Sequence, residues 1–161
     1  MPAITILDCP KKMFRWTRQQ QVNGDRVGVV PTMGALHEGH LSLIEAARAR
    51  CEKVVVTIFV NPTQFGPNED YERYPRTLQK DVGLLDDLGV DCVFAPSKEG
   101  MYPQGSSTTV APPAVATMLE GECRPEHFGG VCTIVLKLLQ IIPADLCLLY
   151  TSDAADESSS V

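Results

Sequence analysis

Between Val27 and Phe94 the apolar residues follow two rhythms in turn. Val27-Gly-Val-Val30, Lys53 to Val60 (Lys-Val-Val-Val-Thr-Ile-Phe-Val) and Val90 to Phe94 are short, nearly continuous and rich in β-branched residues. Such runs suit strands of a parallel sheet covered on both faces. Between them the spacing lengthens to that of a helix. Leu41 to Arg50 places Leu41, Ile44 and Ala47 on one face and turns Glu45 and Arg48 toward water. A second helical pattern starts after Thr77, a residue suited to the N-cap, and runs through Leu88 to a closing Gly89. Upstream, residues 10–21 carry a looser amphipathic pattern around Phe14 and Trp16, ended by Asn23-Gly24. Strands alternating with helices predict an α/β domain built on a parallel sheet.

The polar segment joining the first strand to its helix reads Pro31-Thr-Met-Gly-Ala-Leu-His-Glu-Gly-His40. His37 and His40, three residues apart, are expected on one side of the first helical turn. A helix N-terminus offers unpaired N–H groups and a partial positive charge. Two imidazoles over it suit phosphate and the charge that builds during phosphoryl displacement. Gly34 and Gly39 permit close backbone approach to a ligand. A His-x-x-His pair alone also serves as a helix cap, a half-buried pair or two metal ligands. No third Cys, His or acid stands at a supporting spacing, so no metal site is expected. The strand–turn–helix setting with two glycines favours nucleotide phosphate. P-loop and dinucleotide fingerprints are both absent.

In parallel sheets ligands bind beyond the carboxyl ends of the strands. Asn61-Pro-Thr-Gln64 leaves the second strand at that edge, and its amides suit a hydroxylated carboxylate. The Asn-Pro pair by itself is equally a turn.

Composition narrows the setting. The chain has 161 residues, enough for one domain with a substantial core, and 44% of them are hydrophobic. A net charge of −6 argues against an extended nucleic-acid surface. Lys11, Lys12, Arg15, Arg18, Arg73 and Arg76 read as scattered solvated cations. No apolar run approaches the ~20 residues of a membrane span, and from Met1-Pro-Ala-Ile-Thr-Ile no secretory signal is expected. Six dispersed cysteines without a Cys-x-x-Cys pair predict free thiols in a reducing, cytoplasmic setting.

The decapeptide at 31–40, Ile58 to Phe65, Tyr74-Pro-Arg-Thr77, Met101-Tyr-Pro103, Leu119-Glu-Gly121 and His127-Phe-Gly-Gly-Val131 together resemble the pantothenate synthetase (pantoate–β-alanine ligase) family. The resemblance runs in order from about Val27 to Asp145. It implies a Rossmann-like nucleotidyltransferase domain with a His-x-Gly-His motif. It also implies use of ATP and Mg2+ to turn pantoate into pantoyl adenylate with release of pyrophosphate. β-Alanine then displaces AMP to give pantothenate. By resemblance, Met33, Gly34, Ala35, Leu36, His37, Glu38, Gly39 and His40 line the ATP site. His37 and His40 stand at the phosphates, with His40 the usual catalytic residue. Gln64 matches the pantoate-binding glutamine, with Asn61 nearby. Thr63 stands where the family commonly has Met. His127 is read as structural. The full-length family implies a homodimer acting on small molecules, with neither nucleic acid nor membrane as partner.

After Asp145 the family pattern Phe-Gly-Glu-Lys-Asp-x-Gln-Gln has no counterpart, and with it the phosphate-binding Lys and second pantoate Gln are missing. The expected domain is therefore residues 1–145, incomplete and without the C-terminal domain. Residues 146–161 are expected to form an unrelated, disordered tail. Two other readings stay open: another nucleotidyltransferase with the same histidine motif, and a non-catalytic binding or dimerisation module.

Overall fold

A computed structural model describes residues 4–66, 69 and 71–149. In chain order these form β1 (Thr5–Leu7), α1 (Pro10–Val22), β2 (Val27–Thr32), α2 (Glu38–Arg48) and β3 (Lys53–Ile58). Two 3-10 turns, Pro62–Gln64 and Tyr71–Arg73, precede α3 (Leu78–Asp87) and β4 (Cys92–Phe94). After α4 (Lys98–Met101) and a 3-10 turn at Ala114–Thr117 come α5 (Glu120–Cys123), α6 (His127–Ile141) and β5 (Leu146–Cys147).

The five strands make one sheet in the order β1-β4-β3-β2-β5, and every pairing is parallel. This is the parallel α/β sheet that the alternating rhythms predict, with the Rossmann-like arrangement that the resemblance implies. From β2 the chain steps outward through β3 to β4, then returns to lay β5 on the other side of β2. The strand order thus reverses at β2, and the crevice above such a reversal is where open α/β sheets take ligands.

The continuous apolar runs follow from burial on both faces. Val27, Val29, Val55, Cys92 and Phe94 enter one core with Met13 of α1 and Ile134 and Leu138 of α6. Their neighbours Val30, Val54, Val56 and Val93 enter the other with Ile44 and Ala47 of α2 and Leu85 of α3. Successive strand residues face opposite sides, so both must be apolar. In α6 the buried positions Gly130, Ile134 and Leu138 recur every four residues, one stripe of a helix.

Several boundaries differ from the sequence reading. α2 begins at Glu38, not Leu41, because the His37 ring accepts the Gly39 N–H at 3.1 Å and starts the helix inside the motif. It ends at Arg48, two residues early. β2 runs on to Thr32, β3 stops at Ile58, and β4 begins only at Cys92. The Thr77 hydroxyl does not cap α3; it donates to Asp81 Oδ2 at 3.0 Å, a charged acceptor one turn away. β1, α4, α5, α6 and β5 were not marked by the sequence reading. β5 lies just beyond the expected boundary at Asp145 and pairs Leu146 with Gly28 and Cys147 with Val29. The rest of the expected tail, from residue 150 on, lies outside the described residues. No helix among the described residues is long and apolar enough to cross a membrane.

Candidate active site

The turn leaving β2 is built from the strand outward. Thr32 Oγ1 donates to the Thr57 carbonyl of β3 at 2.6 Å and accepts the Gly34 N–H at 3.1 Å. The backbone then swings through positive φ twice, at Gly34 (+84°) and at Ala35 (+50°). Only the first suits its residue type, because a side chain at positive φ is disfavoured. Gly34 is also confined: a Cβ there would meet Ile58 Cγ2 at 3.1 Å and Asp81 Oδ2 at 3.2 Å.

Asp81, which sequence reasoning missed, holds this turn. It is 1% exposed, and its two oxygens accept the Ala35 N–H at 3.0 Å and the Leu36 N–H at 3.1 Å, besides the Thr77 hydroxyl. Charge-assisted bonds to consecutive amides are strong enough to hold Ala35 in its left-handed conformation. The only hint in the sequence was an acid on the inner side of an amphipathic helix.

His37 sits at the N-cap of α2 and His40 within its first turn, with ring centroids 4.0 Å apart and planes tilted by 48°. The expected pairing of imidazoles at a helix start is therefore present, one ring outside the helix and one inside. Burial and the neighbouring His37 lower the pKa of His40 from 6.5 to about 4, with the Asp81 carboxylate opposing them. His40 is thus neutral at pH 7 and carries one ring N–H for donation. Of the other residues expected to line the nucleotide, Leu36 packs its side chain into the α2–α3 core. The amides of Ala35 and Leu36 are already committed to Asp81, and Glu38 is exposed.

The loop after β3 reaches the same edge. Gln64 Nε2 lies 3.2 Å from the sulfur of Met33, so the histidine turn and the amide loop touch. Asn61 is 1% exposed and bonded on all sides within the protein. The loop rests directly on α6: a Cβ at Gly130 would come within 2.3 Å of the Thr63 carbonyl oxygen. His127 Nδ1 lies 2.9 Å from the Gln64 carbonyl, a backbone contact in keeping with a structural role. Arg124 spans the loop through a two-pronged ion pair to Glu69, at 2.7 and 2.6 Å.

A histidine-bearing turn and a polar amide loop thus meet at the reversal point of a parallel sheet. The profile of the pantoate-beta-alanine ligase family matches residues 5–156. The chain belongs to that family. It is 50% identical over 149 residues to the pantothenate synthetase of Chlorobaculum tepidum, covering 92% of this chain and 52% of that protein. It is 51% identical over 156 residues to that of Rhodopirellula baltica, covering 95% and 54%. The chain spans about half the length of the curated relatives it matches. Among solved structures, the pantothenate synthetase of Thermus thermophilus aligns with a TM-score of 0.83 at 42% identity, over 89% of this chain and 51% of that one. The pantoate-beta-alanine ligase of Francisella tularensis, solved with beta-gamma ATP and beta-alanine, also aligns at 0.83, with 46% identity over 90% and 56%.

No group of three or more His, Cys, Asp or Glu among the described residues is placed to hold a metal ion. Asp81, the buried acid nearest the histidines, spends both oxygens on protein donors. The protein side of the site is made of imidazoles, amides and hydroxyls.

Proposed function

We propose that this chain is the ATP- and pantoate-binding unit of a pantoate–β-alanine ligase, formed by residues 1–145 together with β5. The pantoate carboxylate attacks the α-phosphorus of ATP, the bond to pyrophosphate breaks, and pantoyl adenylate forms. The amine of β-alanine then attacks the acyl carbon, AMP leaves with the bonding electrons, and the amine proton passes to solvent.

The observation that carries this reading is the imidazole pair at the start of α2, above the reversal point of the sheet. His40, neutral and half-buried, donates its N–H to the phosphate oxygen on which charge grows as pyrophosphate departs; His37 stands beside it. Preorganised donors of this kind are worth more in the transition state than in the ground state. Magnesium would be held by the triphosphate itself, as part of the nucleotide substrate, and would supply charge neutralisation there. Gln64 receives the acceptor. The enzyme works in the cytoplasm, where its dispersed cysteines remain thiols, and as a homodimer in full-length form. Its net charge of −6 speaks for small anions held by local donors and against a nucleic-acid partner.

The test is titration of the chain with ATP, followed through backbone amide resonances of residues 33–40. It is paired with pantoate-dependent exchange of labelled pyrophosphate into ATP in a full-length relative. ATP-induced shifts confined to this turn, lost in His40→Ala, support the reading. Shifts elsewhere, with none at 33–40, contradict it.

A further inference from the structure

Asn61 stands in the acceptor loop, and its residue type invites the idea that it binds substrate directly. The hydrogen-bond count says otherwise. A side-chain amide has two acceptor lone pairs and two donor hydrogens. Asn61 Oδ1 accepts from the Tyr102 hydroxyl at 2.8 Å and from the Thr63 hydroxyl at 3.1 Å. Asn61 Nδ2 donates to the Gly130 carbonyl at 3.1 Å and to Gln64 Oε1 at 3.2 Å. All four valences are spent, and the side chain is buried.

The direction of this chain of bonds is also determined. The main-chain carbonyl of Gly130 can only accept, so the Asn61 atom facing it must be the nitrogen. Rotating the Asn61 amide by half a turn would set two acceptors against each other at 3.1 Å. With Nδ2 fixed there, the Gln64 atom beside it must be the oxygen, since a nitrogen would set donor against donor. Gln64 Nε2 is then left pointing the other way, against the sulfur of Met33, a weak acceptor that a ligand oxygen readily replaces. Gly130 makes the arrangement possible, because any Cβ at that position would drive into the Thr63–Gln64 backbone.

We propose that Asn61 is a positioning residue that never touches the acceptor substrate. With Gly130 and Tyr102 it orients the Gln64 amide so that only N–H donors face the site, which selects an acceptor bearing carboxylate or hydroxyl oxygens. This rests on the reading of Gln64 as the acceptor-binding residue, and it adds which face of the amide does the binding.

Hydrogen-bond-mediated scalar couplings in the isotope-labelled, ligand-free 161-residue chain give a direct test. Couplings are expected from Asn61 Nδ2 to the Gly130 carbonyl carbon and to Gln64 Cδ. A coupling from Gln64 Nε2 to Asn61 Cγ, or rapid solvent exchange of the Asn61 amide, would overturn the assignment. In Tyr102→Phe, which removes one hydroxyl, exchange of the Asn61 side-chain amide should rise about fivefold, the equivalent of one ordinary hydrogen bond. Unchanged exchange removes Tyr102 from the relay. Pantoate added to the wild-type chain should shift the Gln64 side-chain amide while both Asn61 couplings persist. Their loss on adding pantoate would show direct contact and defeat the proposal. If pantoate moves neither amide, the acceptor reading of Gln64 fails, whereas the ligand-free couplings still decide the relay.

Discussion

The two loops that meet above the sheet are held by opposite means. The turn from β2 into α2 is clamped by one buried carboxylate, Asp81, which pulls in two amides and a hydroxyl. Around Asn61 the loop after β3 is held by neutral amide, hydroxyl and carbonyl partners, and its one charged tie, Arg124 to Glu69, lies farther along the loop. The contrast follows from what each loop is asked to do. The histidine turn keeps a strained backbone, with Ala35 at φ +50°, and charge-assisted bonds supply the hold. On the proposed reading the amide loop presents one face of Gln64 to a ligand, which calls for direction more than strength. One loop should therefore fail sharply at single residues, the other gradually.

The sharpest break is expected at Asp81. Asp81→Ala leaves two backbone N–H groups and a hydroxyl without their acceptor, at about 1–3 kcal/mol for each that stays buried. Urea unfolding should show a loss of about 2–4 kcal/mol. Asp81→Asn should lose less, because one acceptor oxygen remains. A loss from Asp81→Ala no larger than for an exposed acid such as Glu38 would mean that the clamp carries no load.

Removing a transition-state donor comes next. In a full-length relative carrying His40→Ala, adenylation should slow by about 10²–10³ with little change in stability, as for other preorganised donors. Pyrophosphate exchange reads this directly, and near-normal exchange would remove His40 from the chemistry.

On the other loop, Gly130→Ala should push the Thr63–Gln64 backbone away from α6. Overpacking of this kind costs about 1–3 kcal/mol. Pantoate binding should weaken while ATP binding holds. Equal weakening of both would mean that the loops do not act separately.

The mildest effect is on pH dependence. The folded protein holds His40 at about 4, below its ordinary 6.5, so between these values the unfolded chain binds more protons. Stability from this group is complete above pH 6.5 and declines as the pH falls toward 4. His40→Gln should flatten the stability profile across that window relative to wild type. Identical profiles would show that burial and His37 do not perturb the ring.

The same contrast explains what could be read in the sequence. The strands β2 and β3 were legible because burial on both faces makes their runs continuously apolar, the helix α2 because its burial is periodic, and the histidine turn because its residues are contiguous. His37 and His40 meet within one turn of chain, so spacing alone brought them together. Asp81 was invisible: it lies 46 positions from Ala35, and an acid on a helix ordinarily faces water. The Asn61 network joins residues 61, 64, 102 and 130, and no local pattern announces such a meeting. β5 was hidden for a different reason, since two residues are too few to show a period. Thr77 misled because its residue type suits an N-cap, whereas its hydroxyl found a charged partner one turn on.

The proposed function divides the labour, nucleotide to the histidine turn and acceptor to the amide loop. Calorimetric titration of wild type, His40→Ala and Gln64→Ala with ATP and with pantoate separately tests it most directly. His40→Ala should weaken ATP by about fivefold or more and leave pantoate unchanged, and Gln64→Ala should do the converse, each reflecting the loss of one bonded partner. If either substitution weakened both ligands equally, or weakened the wrong one, the two loops would not hold separate substrates and the account would be contradicted.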